Sequence, residues 1–275
     1  MQPRLSGQRI ALFEARLATE ISELVRRSGG VPVCVPAVRE RRRPATLDVG
    51  ALLAKLQLEP QPNFVFSTGV GASALFDEAR ALGRDAELRE AMTRGTTVCR
   101  GPKPVAALHR EGVTASIKAR SPFTTAELIE VLDQVELRDR MTILLHYGER
   151  NAPLVDALLC RGAWLYELTL YEWELPEDTG PLQQVIEELA CGRFAAAAFT
   201  TQIQFRNLLA VADGMGRGRE LLEALRERVV VAAVGPTCAR VLADRGIAPR
   251  VVPESPKMGP MVSALVDHLA PRDGP

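Results

Sequence analysis

The chain repeats itself, and its two copies are interleaved. Gly7–Glu40 passes through a short apolar run, an amphipathic helical stretch, the turn Arg27-Ser28-Gly29-Gly30-Val31, a second apolar run and a polar exit at Arg39-Glu40. Asp139–Glu174 follows the same series, with the turn Cys160-Arg161-Gly162-Ala163-Trp164 and the exit Tyr171-Glu172-Trp173-Glu174. Phe64-Val65-Phe66-Ser67-Thr68 opens a helix, and so does Ala198-Phe199-Thr200-Thr201. Cys99-Arg100-Gly101-Pro102-Lys103-Pro104 matches Ala233-Val234-Gly235-Pro236-Thr237-Cys238, and the closing stretch Ser121–Leu132 matches Ser255–Leu265. One copy is therefore split by the whole of the other. Residues 1–39 with 176–275 form the first predicted lobe, and residues 40–175 form an inserted second lobe. Crossovers near Val38–Pro44 and Tyr171–Pro176 join them, which predicts a two-strand hinge with a cleft between the lobes.

Each copy reads as α/β. Candidate strands are Ile10–Phe13, Val31–Val35, Phe64–Phe66, Thr97–Cys99, Met141–Leu145, Trp164–Leu170, Ala195–Phe199, Val229–Val234 and Pro249–Val252. Helical spacing separates most of them, as in Leu17, Ile21, Leu24 and Val25. Apolar runs buried on both faces and divided by helices favour parallel strands, so the expected fold is two similar lobes, each a parallel sheet flanked by helices.

Composition narrows the partners. Lys+Arg and Asp+Glu are each 34, which leaves no basic excess for a nucleic acid to meet. The five cysteines lie far apart without a Cys-x-x-Cys pair, so buried free thiols are expected in place of a disulfide framework or a zinc site. The apolar run near the N-terminus is too short for a signal-peptide core, and no stretch approaches the ~20 residues that span a bilayer. A cytoplasmic monomer without membrane or nucleic-acid partners is the expectation.

In open α/β sheets, ligands bind beyond the carboxyl ends of the strands. Those ends carry Ser67-Thr68-Gly69-Val70-Gly71, Arg100-Gly101-Pro102-Lys103, His146-Tyr147-Gly148, Thr200-Thr201-Gln202 and Gly235-Pro236-Thr237. Each precedes a helix, whose free N–H groups suit carboxylate or phosphate. Capping alone would also explain Ser, Thr and Gly there, and only the recurrence argues for a ligand with many anionic groups. Gly69-Val70-Gly71-Ala72-Ser73-Ala74 formally fits the dinucleotide fingerprint, yet the next strand ends at Cys99-Arg100 without the acidic residue that holds a ribose. His109, His146 and His268 share no metal-ligand spacing, and Arg41-Arg42-Arg43 reads as a solvated hinge or loop. Tyr147 and Tyr171 fall at strand ends or crossovers, whereas Tyr166 alternates within its strand toward the core. A phenol held near a leaving hydroxyl can protonate it. For Tyr171, packing beside Trp173 is the competing role.

The permuted repeat, Phe-Ser-Thr-Gly-Val-Gly at 66–71, Arg-Gly-Pro-Lys at 100–103, Leu-Tyr-Glu at 170–172 and Ala-Val-Gly-Pro-Thr at 233–237 resemble the uroporphyrinogen-III synthase family. The likeness runs from about Gly7 to Leu269. It implies a cofactor-free lyase without a metal that cyclises hydroxymethylbilane, a linear tetrapyrrole with eight carboxylates, and inverts ring D through a spiro intermediate. It also implies substrate-binding roles for Ser67, Thr68, Gly69, Arg100, Gly101, Lys103, Tyr147, Thr200, Thr201, Gln202, Gly235 and Thr237. Tyr171 matches the crossover tyrosine that assists departure of the hydroxyl.

The chain departs from that pattern twice. Phe13-Glu14-Ala15 stands where many relatives carry Thr-Arg-Pro, and the Glu14 carboxylate is expected to repel the substrate unless Arg16 substitutes. Gly-Pro-Thr-Thr becomes Gly235-Pro236-Thr237-Cys238. These departures keep an alternative open, a non-catalytic tetrapyrrole-binding or regulatory module of the same fold.

Overall fold

The computed structural model describes residues 4–146 and 148–270, and within them the chain divides into two compact units. Unit 1 is residues 1–39 with 174–275, and unit 2 is residues 40–173.

Unit 1 is built on strands β1 (Arg9–Leu12), β2 (Val31–Cys34), β10 (Ala196–Phe199) and β11 (Val230–Ala233), in the order β11-β10-β1-β2, all parallel. Every residue of β10 and β11 is buried, the double-sided burial that their Ala, Val and Phe side chains allow. One face carries α8 (Gly180–Ala190), α9 (Gln202–Gly214), α10 (Gly218–Glu227) and α11 (Pro236–Ala243), whose Leu182, Leu208, Leu221 and Leu242 pack on Phe199 and Val231. The other face carries α1 (Ala18–Arg27) and α12 (Met258–Leu269), through Ile21, Val25, Met261 and Leu265. In α1 these apolar positions recur at helical spacing, while Glu20 and the pair Arg26, Arg27 oppose the helix dipole at its two ends.

Unit 2 has strands β4 (Asn63–Phe66), β5 (Thr96–Cys99), β6 (Ile117–Lys118), β7 (Met141–Leu145) and β8 (Trp164–Leu168), parallel in the order β6-β5-β4-β7-β8. Helices α2 (Thr46–Leu56), α3 (Gly69–Ala81), α4 (Asp85–Arg94) and α5 (Pro102–Arg110) cover one face around Phe64 and Phe66. Helices α6 (Thr125–Val131) and α7 (Ala152–Cys160) cover the other around Val65, Val98 and Leu144. Strand order and helix placement in the two units correspond: β4 matches β10, β5 matches β11, β7 matches β1 and β8 matches β2. The expected α/β architecture is what the chain adopts.

Several expectations are corrected. Pro249–Val252 contributes a single parallel bridge, Val251 to Ala232, and β8 ends at Leu168 where a run to Leu170 was expected. Arg41 and Arg42 lie in a strand of the crossover, exposed as a solvated hinge would be, and Arg43 follows it in a loop. Arg39–Arg42 forms β3 and pairs with β9 (Tyr171–Glu174), with Arg41 and Arg43 both on Glu172 and Arg42 on Asp77. Charged side chains hid the bounds of this hinge strand, because neither face of it is apolar. Only Cys99 and Cys238 are buried; Cys34 is half-buried, while Cys160, the last residue of α7, and Cys191, just past α8, are exposed. Tyr166 is half-buried, its hydroxyl donating to the Asp48 carbonyl at 3.0 Å.

Candidate functional site

In unit 2, β4 and β5 end side by side and each turns directly into a helix. Ser67 and Thr68 are both buried. Thr68 caps α3, its hydroxyl oxygen accepting the Gly71 N–H at 3.0 Å. Gly101 begins α5 in extended backbone, and Pro102 suits the first turn because its missing N–H would find no partner there. The two helix starts touch. A Cβ at Gly69 would lie 2.7 Å from the Lys103 carbonyl oxygen, and one at Gly101 would lie 3.2 Å from the Phe123 ring. Arg100 is half-buried, its N–H bonded to the Phe66 carbonyl at 2.9 Å, and Lys103 is exposed. Ser67, Thr68, Gly69, Arg100, Gly101 and Lys103 are thus brought into one patch of unit 2.

Tyr171 joins that patch from β9. Its ring is 1% exposed, packed in the same core cluster as Phe66, Leu145 and Leu170. Its phenolic oxygen lies 2.8 Å from the Thr68 hydroxyl, and the missing side chain of Gly71 gives its Cε1 room, 3.8 Å from where a Cβ would stand. Gly69 thus serves the close approach of α5, and Gly71 stands beside the Tyr171 ring. Tyr147 lies outside the described residues.

Beside this patch, His146 is 3% exposed and shares a 2.8 Å bond from Nε2 to Glu167 Oε2. Arg150 also holds Glu167, through Nε at 2.7 Å and Nη2 at 3.0 Å. The Arg150 guanidinium above all, and then His146, keep the Glu167 carboxyl below its usual value against the opposing effect of partial burial.

In unit 1, β10 and β11 end in the same way. Gly235 starts α11, with a hypothetical Cβ 2.9 Å from Pro256, and Thr237 is exposed on its first turn. Thr200, Thr201 and Gln202 are half-buried at the start of α9. Their loop is organised by Gln204, which sequence reasoning missed, and by Glu14, which it expected to face the substrate. Gln204 Oε1 accepts the Thr200 N–H at 2.8 Å and the Thr201 N–H at 3.3 Å, while its Nε2 donates to Thr200 Oγ1 at 2.8 Å and to Glu14 Oε2 at 3.2 Å. The Thr200 hydroxyl donates to the same Glu14 oxygen. Glu14 is therefore held by the loop as an internal acceptor. The Thr-x-x-Gln spacing 201–204 carried the signal for Gln204, a helix-start pattern in which the third residue reaches back to the cap. Cys238, in place of a second hydroxyl, is a buried thiol pushed up to about 12 by desolvation, its Sγ 3.7 Å from the Phe199 carbonyl.

Two sets of helix starts, each at the carboxyl edge of a parallel sheet, present backbone N–H groups, hydroxyls and a few cations. This chemistry suits carboxylates. Among the described residues, no group of three His, Cys, Asp or Glu is placed to hold a metal ion, and no helix is long and apolar enough to cross a membrane.

Comparison with known proteins agrees with this architecture. The family model described as uroporphyrinogen-III synthase HemD matches residues 19–263. A mutant uroporphyrinogen III synthase from the extremely thermophilic bacterium Thermus thermophilus is similar in structure, with a TM-score of 0.76 at 26% identity over 96% of this chain and 99% of that one. A second structure of the Thermus thermophilus synthase gives 0.56 at 27% identity over 95% and 99%. A Bacillus subtilis (strain 168) protein named "Uncharacterized protein YjjA" is 29% identical over 98% of both chains. With a match over most of its length and the permuted α/β repeat in place, the chain belongs to the uroporphyrinogen-III synthase family.

Proposed function

We propose that this protein is a uroporphyrinogen-III synthase, a lyase that closes hydroxymethylbilane to uroporphyrinogen III with inversion of ring D. The observation that carries the reading is the buried Tyr171 phenol held 2.8 Å from Thr68, at the mouth of helix starts suited to carboxylates. The terminal hydroxyl of the bilane leaves as water once it gains a proton, and Tyr171 is the proton donor. The azafulvene cation that remains is attacked by the substituted carbon of ring D. The resulting spiro intermediate rearranges and loses a proton, so that ring D ends inverted. The bilane closes unaided to the uninverted isomer, and the enzyme therefore acts mainly by holding the chain folded. Ser67, Gly69, Arg100, Gly101, Lys103, Tyr147, Thr200, Thr201, Gln202, Gly235 and Thr237 line the substrate carboxylates; Arg100 acts through its guanidinium, because its N–H is bonded to the Phe66 carbonyl, and the Thr200 and Thr201 N–H groups serve only once Gln204 releases them.

A second reading, a non-catalytic tetrapyrrole-binding module, draws on Glu14, whose carboxylate occupies acceptor space at the α9 loop where a substrate carboxylate would need donors. One assay separates the two. Freshly made hydroxymethylbilane is incubated with the protein, the products are oxidised, and the type I and type III isomers are resolved. A protein-dependent excess of type III is expected. Type I alone, from folded protein, would overturn the synthase reading. Tyr171→Phe should lower kcat by about 100-fold, the low end of what a positioned proton donor contributes, and leave residual type III product.

A further inference from the structure

The Thr68 hydroxyl stands between a helix start and a buried phenol, and its proton has to go somewhere. A threonine hydroxyl has one proton and two lone pairs. One lone pair takes the Gly71 N–H, and Tyr171 Oη lies 2.8 Å away. No third partner of this hydroxyl is found among the described residues. Were Tyr171 the donor, the Thr68 proton would be buried with no acceptor, at the cost that unsatisfied buried groups carry. The satisfied arrangement has Thr68 donating to Tyr171, which turns the phenolic proton toward a partner other than Thr68. Thr68 is 8% exposed and its one proton is used in this way, so it has no donor left for a substrate carboxylate.

We infer that Thr68 is a positioning residue, one that acts through Tyr171 by donating a hydrogen bond to its phenolic oxygen and does not contact the substrate. The inference rests on the proton-donor reading of Tyr171, and it changes the role of Thr68 from carboxylate binder to the device that aims the acid. The link is set by the fold. Thr68 is fixed by capping α3, Tyr171 is fixed in the core of the same unit, and 103 residues of chain separate them.

The test is a double-mutant cycle with a spectroscopic arm, on full-length protein whose folding is checked by circular dichroism. Thr68→Val is nearly isosteric and removes the hydroxyl, whereas Thr68→Ser keeps it. Thr68→Val should lower kcat about tenfold with KM changed less than about twofold, should add nothing in a Tyr171→Phe background, and Thr68→Ser should restore most of kcat. Independent multiplication of the two effects, or a loss confined to KM, would show Thr68 acting on the substrate itself and overturn the inference. The second arm needs no activity: 13Cζ-tyrosine NMR follows the ionisation of Tyr171. A donor facing the phenolic oxygen favours the phenolate, so Thr68→Val should move that midpoint up by about half a unit and Thr68→Ser should leave it in place. A downward move would mean that Tyr171 donates to Thr68, and no move would mean that the bond is absent; both overturn the inference. A fully active Tyr171→Phe would remove the proton-donor reading and the catalytic half of the inference together, with the direction of the bond still decided by NMR.

Discussion

The α3 start in unit 2 and the α9 start in unit 1 occupy the same place in the same topology, yet they solve it with different chemistry. Strand registers fix the correspondence, because Phe66 lies opposite Leu145 and Leu12 lies opposite Ala198. Phe66-Ser67-Thr68-Gly69-Val70-Gly71 then matches Phe199-Thr200-Thr201-Gln202-Ile203-Gln204, and His146 matches Glu14. Through β2 and β8, Glu167 matches Cys34 and Tyr171 matches Val38. Where unit 2 has Gly71, an aromatic ring from the crossover fills the gap and brings a phenol to the helix start. Where unit 1 has Gln204, the amide fills the gap itself and holds Glu14. A duplicated sheet therefore repeats its backbone donors, while the third helical residue decides whether a side chain from elsewhere can enter.

Exchanging that residue should break the comparison most severely. Gly71→Gln places a Cβ 3.2 Å from Thr68 Oγ1, and the rest of the amide needs the volume of the Tyr171 ring. A helical Gly exchanged for Gln would ordinarily gain somewhat under 1 kcal/mol. Overpacking here should outweigh it and leave a net loss of about 2 kcal/mol. Urea unfolding measures the loss, and the isomer assay should show kcat falling about as far as in Tyr171→Phe. The reciprocal Gln204→Gly removes the acceptor for two N–H groups and one hold on Glu14, for a loss of about 2 kcal/mol in stability. An active, fully stable Gly71→Gln would show that Tyr171 does not depend on the gap.

The first helical residue offers a milder contrast. Gly69 abuts the Lys103 carbonyl, a backbone atom with little freedom to retreat, whereas its counterpart Gln202 is half-buried and long. Gly69→Ala should destabilise by about 1–2 kcal/mol despite the better helix propensity of Ala, and Gln202→Ala should stay within about 0.5 kcal/mol. Parallel urea curves decide it. Equal midpoint shifts would mean that the close approach of α3 and α5 costs nothing to disturb.

How much of this was legible beforehand depended on distance along the chain. Met141–Leu145 was readable to the residue, because an apolar run bounded by Arg140 and His146 has no other low-cost place than a buried strand. The helix starts were readable too, since Ser, Thr, Gly and Pro mark them locally. The crossover at β3 was expected as one strand of a hinge, but its bounds and pairing were not readable, because Arg39–Arg42 has no apolar face and gains its pairing from β9 and Glu172 across the chain. Tyr171 could be singled out by its place at the crossover, but its bond to Thr68 could not, as no local pattern links residues so far apart. Glu14 was read as a repulsive charge; its actual partners, Thr200 and Gln204, come from the neighbouring strand's loop.

The smallest expected effect separates the two units by pH. Glu167 in unit 2 is paired with Arg150 and His146, while its counterpart Cys34 carries no carboxylate and bonds only weakly to the Glu14 carbonyl, at 3.4 Å. Burial pushes the Cys34 thiol up, so it stays neutral in the acid range. A carboxyl held below its usual value stabilises the fold above the unfolded value of about 4.3, and that contribution is lost as the pH falls through the folded value. Acid should therefore weaken the His146 end of β7 before the Glu14 end of β1 responds through this position. Glu167→Gln removes the dependence. Because the Arg150 side chain is more than half exposed, solvent screening limits the Glu167 contribution to about 0.5 kcal/mol. Urea midpoints should place the variant below the wild type near neutrality and bring the two together as the pH falls past the unfolded value of about 4.3 and through the lower folded value of Glu167. A gap that stays constant across that range would mean that the Glu167 network holds unit 2 by packing alone.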